Sequence, residues 1–477
     1  MSRAAPALAF LFSSLPLFAI AGPELAPAPG GLGFFGPTDP EVTAIWWNPA
    51  ALGELDGSHL HLSGSPVFLS EQMARDGMAA INNSDLDPDL FAGAATDFGT
   101  EHFRAGFAYH VPFRDRGAIN PGQQTLDLSD DGPLRYQRLH TDWRNHYFSP
   151  AAAWRVNGSV SFGAGLNVVW SKANLSFDRD TALDGGSAGV AAAGGIEQPG
   201  AAERVDVNGS VLSVGVSVGF LWRILGRVTI GGAFLSRPGA LSRSDVPADR
   251  YGSGELNAHV NRPGQPTVDG YGLITFALPD VVNFGARWLV TDRLEAAATF
   301  RYVDWGQRSS ALKVRLSSEA FRSAGVPGEI LLYRGFADSY RVAVRGAFCA
   351  KKPRWVGDHC RVRLGLSAAF DTGQYDRQAV HADALDGPTL ELGALFEWRL
   401  GSHLRFFGGG TYGAMLTQRV TSSLYDPQAA LRCVDAGHDV NACDAADAGR
   451  GLPTTNGSYG LQSYTASLGL AVDFWAR

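Results

Sequence analysis

The stretch SVSFGAGLNVVWS, residues 159–171, decides the fold class. Val160, Phe162, Ala164, Leu166, Val168 and Trp170 fall on one side of a period of two, and Ser161, Gly163, Gly165 and Asn167 on the other. Successive side chains of a strand point to opposite faces, so this pattern is a strand wetted on one face only. LELGALFEWRL, residues 390–400, repeats it, with Leu390, Leu392, Ala394, Phe396, Trp398 and Leu400 set against Glu391, Gly393, Leu395, Glu397 and Arg399.

Working outward, the same alternation covers 58–69, 89–98, 103–113, 145–156, 159–177, 206–222, 227–241, 270–290, 293–305, 338–349, 360–372, 388–400, 403–417 and 463–474. That makes fourteen strands, an even number. The connectors alternate in length. Tight links at 99–102, 157–158, 225–226, 291–292 and 401–402 separate long polar segments at 70–88, 114–144, 178–205, 242–269, 306–337 and 418–462. Short turns at one end and long loops at the other are the plan of an outer-membrane barrel. Hydrocarbon forbids an open sheet edge, so the strands must close on one another. A soluble all-β protein would have to cover the continuous apolar belt with something other than lipid. The expected fold is all-β, a 14-stranded antiparallel transmembrane β-barrel of the bacterial outer membrane. The last strand, YTASLGLAVDFWAR, aligns Tyr464, Ala466, Leu468, Leu470, Val472 and Phe474 on its apolar face.

Residues 1–21 read as a signal peptide: Arg3, an apolar run from Ala7 to Ile20, and small residues at Ala19 and Ala21. No later stretch reaches the roughly 18 to 20 apolar residues of a spanning helix. The formal charge is −7, and −8 once Arg3 leaves with the signal, so no basic surface recommends nucleic acid. Charged residues make up 18% of the chain. The four cysteines form two local pairs, Cys349 with Cys360 and Cys433 with Cys443, with ten and nine residues between partners. In an exported chain this spacing predicts two small disulfide loops rather than a metal site. No metal or other cofactor is expected.

With the apolar face toward lipid, the other face lines the lumen. Four consecutive strands bring Arg287, Arg301, Arg341, Arg345 and Arg363 there, alongside Glu295, Asp371, Glu391 and Glu397. Two readings stand open. The arginines pair with these acids and fill the lumen, or they offer their planar forks to a bound carboxylate. In the third strand, FRAGFAYHVPFRD, Pro112 lacks the N–H that a central ladder requires. It either terminates the strand or, with a bulge, opens a gap in the wall beside Gly106. Upstream, GGLGFFG and IWW place Phe34, Phe35, Ile45, Trp46 and Trp47 in a segment too short to build its own core. These side chains pack against the lumen wall or a ligand, unless the tryptophans belong to an interfacial belt.

WWNPAAL (46–52), LPDVVNFGARWLVTDRLEAAATFRYVDWG (278–306), DSYRVAVRGAF (338–348) and YTASLGLAVDF (464–474) together resemble the FadL-type outer-membrane transporters of long-chain fatty acids and other hydrophobic compounds. The resemblance runs from about Gly31 to Phe474. It implies that residues 22–56 form a hatch inside a barrel of residues 57–477, with Asn48, Pro49 and Ala50 as its motif. It further implies lateral exit of ligands through a kinked third strand, where Gly106 and Pro112 stand. The function implied is passive uptake of a hydrophobic small molecule into outer-membrane lipid by a monomer that is not an enzyme. A water-filled porin and a docking barrel for a surface or secretion complex are the rival classes.

The chain departs from the family plan in three places. Loop 185–202 is made of small residues, loop 242–269 is polar, and the chain ends Phe474-Trp475-Ala476-Arg477. An outer capture groove is therefore not expected. Gly31-Leu32-Gly33-Phe34-Phe35-Gly36 lacks the strand and helix of a nucleotide loop. Gly185-Gly186-Ser187-Ala188-Gly189 lacks a strand-to-helix elbow. Asp127-Leu128-Ser129-Asp130-Asp131-Gly132 lacks the closing Glu of a calcium loop, since Arg138 stands in its place. His59 and His61 share one strand face and point toward the lumen.

Overall fold

A computed structural model describes residues 35–76, 80–118, 139–181, 192, 202–224, 226–240, 252–276, 278–305, 311–333, 336–351, 360–380, 385–421, 423 and 455–474. After the short helix α1 (Ala44–Trp47) and a 3-10 turn (Pro49–Glu54) come β1 (Ser58–Arg75), β2 (Ile81–Thr96), β3 (Phe103–Ala118), β4 (His140–Arg155), β5 (Val160–Asp180), β6 (Ala202–Ile224) and β7 (Val228–Leu235). Next are β8 (Gly239–Ala240), β9 (Gly252–Asn261), β10 (Val268–Phe276), β11 (Asp280–Leu289), β12 (Leu294–Asp304), β13 (Ala311–Leu316), helix α2 (Glu319–Ser323) and β14 (Glu329–Tyr333). The chain finishes with β15 (Ser339–Lys351), β16 (Val362–Asp371), β17 (Thr389–Leu400), β18 (Leu404–Met415), β19 (Gln418–Val420) and β20 (Gly457–Phe474).

Fourteen of these strands close an antiparallel ring: β1 to β7 pair in sequence, β7 pairs β11, β11 pairs β12, β12 pairs β15, β15 to β18 pair in sequence, and β18 pairs β20. Pairing of β20 with β1, from Ser58↔Phe474 to Arg75↔Gly457, completes it. The alternation of 159–171 is realised as read. Phe162, Leu166 and Trp170 are exposed outward, while Ser161 and Asn167 are buried toward the interior. Leu390, Leu392, Phe396 and Trp398 likewise face outward.

Several boundaries differ from the sequence reading. The 70–88 loop shrinks, because β1 runs on to Arg75 and β2 begins at Ile81. The 270–290 strand is two strands, β10 and β11, parted at 277–279. The connectors 242–269 and 306–337 hold strands of their own. β9 pairs with the loop-end half of β6, β10 with β9, β13 with β10 and β14 with β13. The buried residues of this flap, Leu256, Ala258, Val260, Ile274, Phe321 and Ile330, join one apolar cluster with Trp46 and Phe113.

At the turn end the links are short. Gly226 and Gly401 stand at φ +71° and +68°, a conformation that favours glycine. The exception is 352–361, and there the Cys349–Cys360 disulfide ties the strand ends together. Cys433 and Cys443 lie outside the described residues.

Candidate functional site

Residues 35–56 lie within the ring and touch its inward faces on opposite sides. Asn48 organises their centre. Its Nδ2 donates to Pro37 O (2.8 Å) and to Phe220 O on β6 (2.9 Å), and its Oδ1 accepts from the Ala50 N–H (3.1 Å). Pro49 opens the 3-10 turn, where its missing N–H costs nothing. The wall is built of glycine where this turn approaches. A Cβ at Gly163 would overlap Ala50, and one at Gly219 would overlap Asn48. Asn283 on β11 donates to Trp47 O at 3.2 Å.

Ion pairs fasten the same segment. Arg405 on β18 holds Glu41 with two hydrogen bonds of 2.6 and 2.9 Å. Arg345 on β15 pairs with Asp39. Glu54 is bridged by Arg223 (2.6 Å) and Arg287 (3.3 Å). Leu55 O accepts from Arg104 Nε, and Asp56 pairs with Arg104 at 2.8 Å. Burial alone would raise the carboxyls of Asp39 and Glu41; the Arg345 and Arg405 guanidiniums override it and hold both below the usual carboxylate range.

The five arginines of the sequence reading are thus all beside carboxylates. Arg287 and Arg345 meet the N-terminal segment. Arg341 holds Glu391 with bonds of 2.5 and 2.6 Å, Arg363 meets Glu295 at 2.7 Å, and Arg301 stands 3.8 Å from Asp371. The partners Asp39, Glu41 and Glu54 were not foreseen, because nothing local in the sequence connects them to strands hundreds of residues away.

Aromatic residues occupy the other side. Trp46 and Trp47 are buried, 2% and 4% exposed, which places them inside the ring rather than in a rim belt. The Trp46 ring stands edge-on to His110 (5.2 Å), Phe113 (5.7 Å) and Tyr147 (5.7 Å). Phe35 meets His61 and Phe407, each at 6.1 Å, and Phe34 lies outside the described residues. His61 is buried, and His59 bonds Asp473 at 2.8 Å.

The wall beside Trp46 is where the sheet changes. β2 and β3 pair only from Ala92↔Tyr109 to Thr96↔Ala105. Beyond this, Ile81–Phe91 pairs β1 alone and His110–Ala118 pairs β4 alone. The β3–β4 register shifts between His110 and Phe113, so Pro112 sits in a bulge, where its missing N–H is tolerated. Below this seam an apolar hollow of about 510 Å³ on the outer face is lined by Leu60, Ala94, Ala105, Gly106, Phe107 and Phe474. Gly106 is the thin point of the wall: a Cβ there would sit 3.0 Å from Ile45 Cδ1 of the N-terminal segment.

Residues 35–366 match the model of the outer membrane protein transport protein family, OMPP1/FadL/TodX. The chain belongs to this family. The OMPP1/FadL/TodX family is one of transport proteins of the outer membrane, which agrees with the fourteen-stranded ring, its apolar outer belt and its turn and loop ends. No curated protein sequence matches the chain. Among solved structures, a Pseudomonas aeruginosa FadL homologue superposes with a TM-score of 0.68 at 14% identity, over 96% of this chain and 99% of that one. The Pseudomonas putida toluene transporter TodX gives 0.63 at 14%, over 96% and 100%. The Ralstonia pickettii toluene transporter TbuX gives 0.58 at 15%, over 95% and 98%. At such identities these structures speak for the fold.

Proposed function

We propose that this protein is a passive conduit by which hydrophobic molecules, long-chain fatty acids or compounds of similar apolarity, cross the outer membrane. Residues 22–56 act as the hatch, Phe35, Trp46 and Trp47 contribute the apolar lining against which a ligand rests, and the ligand leaves sideways at the third strand. The observation that carries this reading is the seam between β2 and β3 above Ala92↔Tyr109, with Trp46 directly behind it. A closed barrel in lipid satisfies its backbone groups along every strand pair, so a stretch without such pairing is costly unless it has a use. The hollow outside Gly106 offers a departing molecule an apolar surface on the lipid side. The arginines serve in this reading as seats: Arg287, Arg345 and Arg405 anchor the hatch, while Arg301, Arg341 and Arg363 neutralise the wall carboxylates.

The test is binding of a labelled long-chain fatty acid and of a labelled hydrocarbon to detergent-purified protein, beside a variant lacking residues 22–56. Saturable binding that disappears with the segment supports the proposal. Absence of binding together with free ion passage in a planar bilayer would make a water-filled porin the better description.

A further inference from the structure

His110 is the first β3 residue beyond the last β2–β3 pair and the last before the bulge, and it is fully buried. Its ring is stacked between Phe91 of β2 (5.9 Å, 24°) and Tyr147 of β4 (5.4 Å, 24°), with Trp46 edge-on at 5.2 Å. Both of its ring nitrogens lack a hydrogen-bond partner among the described residues, and so does Trp46 Nε1. Three buried polar atoms left unmet at one place are unusual, because a buried donor or acceptor without a partner carries its full desolvation cost. All three belong to a close-packed box of aromatic rings, none more than 4% exposed, at the level where the wall seam begins, so a ligand enters it only as the rings part at the seam.

The inventory of these atoms defines what would satisfy them. Trp Nε1–H only donates, whereas a neutral imidazole offers one donor and one acceptor. A hydrocarbon meets none of them. A carboxylate only accepts and would have to be buried among aromatic rings. A hydroxyl both accepts and donates. Resting on the hydrophobic-conduit reading above, we propose that the box formed by Trp46, His110, Phe91, Phe113 and Tyr147 is a binding site for a small hydrophobic alcohol or phenol. The hydroxyl accepts from Trp46 Nε1–H and donates to the unprotonated nitrogen of His110, meeting two of the three atoms and leaving the imidazole N–H, and the rings hold the apolar body. His110 and Trp46 then set specificity toward hydroxylated over plain hydrocarbons at the exit.

The experiment measures binding of p-cresol and of p-xylene, which differ by a hydroxyl in place of a methyl, to the purified full chain by equilibrium dialysis. Wild type is compared with His110→Phe and Trp46→Phe, which keep an aromatic ring and remove the nitrogens. The expected result is that the preference for p-cresol over p-xylene, read as the ratio of their affinities, falls about tenfold in each variant, because only the hydroxylated ligand loses a buried hydrogen bond. Equal losses for both ligands would show the rings acting by packing alone and overturn the proposal. Unchanged binding of both ligands in both variants would overturn it as well. If wild type binds neither ligand nor a longer hydrophobic probe, the conduit reading itself fails and this site falls with it; if it binds longer apolar probes but neither small ring, only the site is overturned.

Discussion

Arg114 of β3 reaches across the seam to Asp89 of β2, with Nη1 and Oδ1 3.3 Å apart, and the same guanidinium pairs with Asp87. These contacts join two strands at a level where no backbone pair does, since the β2–β3 register ends at Ala92↔Tyr109. Arg114 and Asp89 are each only 4% exposed, so solvent screens the pair little. A side-chain bar can part and re-form without unzipping a ladder.

Removing that bar is expected to loosen the seam. In Arg114→Ala, release of a bound fluorescent fatty acid from the purified protein into acceptor vesicles should quicken several-fold. The cost to the fold is on the order of 3–5 kcal/mol, because the buried Asp89 carboxylate and the part-buried Asp87 carboxylate lose a partner. Asp87→Asn with Asp89→Asn breaks the same two ion pairs from the acid side, leaving the Arg114 guanidinium in place, and should show the same faster release. Slower or unchanged release in both would mean that the seam is no exit.

The seat of the 3-10 turn gives a second expectation. Gly163→Val and Gly219→Val each put side-chain atoms where Ala50 and Asn48 stand, so residues 35–56 cannot lie against β5 and β6. Heat-modifiable migration of the barrel should survive, while brief chymotrypsin treatment cuts the variants within residues 35–56, at Trp46 or Trp47, and spares that segment in wild type.

For Arg341 the structure favours one of the two roles left open by the sequence. Its bidentate pairing with Glu391 makes it a wall residue. Arg341→Ala is therefore expected to lower thermal stability and to weaken binding of a fatty acid and of an uncharged hydrocarbon to the same extent. A selective loss for the fatty acid would restore the carboxylate-binding role.

The barrel was legible in the sequence because lipid covers one face of every strand, so Phe162, Leu166 and Trp170 advertise the period of two without ambiguity. The same signal was present but weaker in Leu256, Ala258 and Val260, alternating with Glu255, Asn257 and His259; polarity of the surrounding loop masked a strand that packs into the interior. Pro112 announced a disturbance of β3, and the bulge lies there, but how far β2 stays paired depends on register, which no local pattern encodes. His110 was hidden for a related reason. It follows Arg104, Gly106 and Ala108 on the inward face, so its direction was readable, yet its neighbours Phe91, Trp46 and Tyr147 come from three other elements.

The one long connector at the turn end bears on the cysteines. Cys349 and Cys360 are bonded with Cα atoms 5.6 Å apart, closing 352–361. Mass spectrometry of a digest without reductant should find the peptides of Cys349 and Cys360 linked, and separately those of Cys433 and Cys443. Free thiols at 433 and 443 would overturn the second pairing.

The last expectation concerns acid. Asp39 and Glu41 are held below the ordinary carboxylate range by Arg345 and Arg405 in spite of burial. A group whose folded pKa is depressed contributes stability that is complete above its unfolded value, about 4, and is lost as the pH falls through the folded value. Residues 35–56 should therefore stay seated between pH 7 and 5, with protease resistance unchanged, and be released only below about pH 4. Arg405→Gln reverses the balance at one carboxylate. With its guanidinium gone, burial becomes the main influence on Glu41 and pushes its pKa upward, so that contribution is lost at a higher pH. Release in the variant should begin at a pH above that of wild type, followed by pepsin cleavage at the lower pH values and chymotrypsin cleavage at Trp46 or Trp47 at the higher ones. Coincident release curves for the two proteins would mean that Glu41 and Arg405 do not anchor the segment.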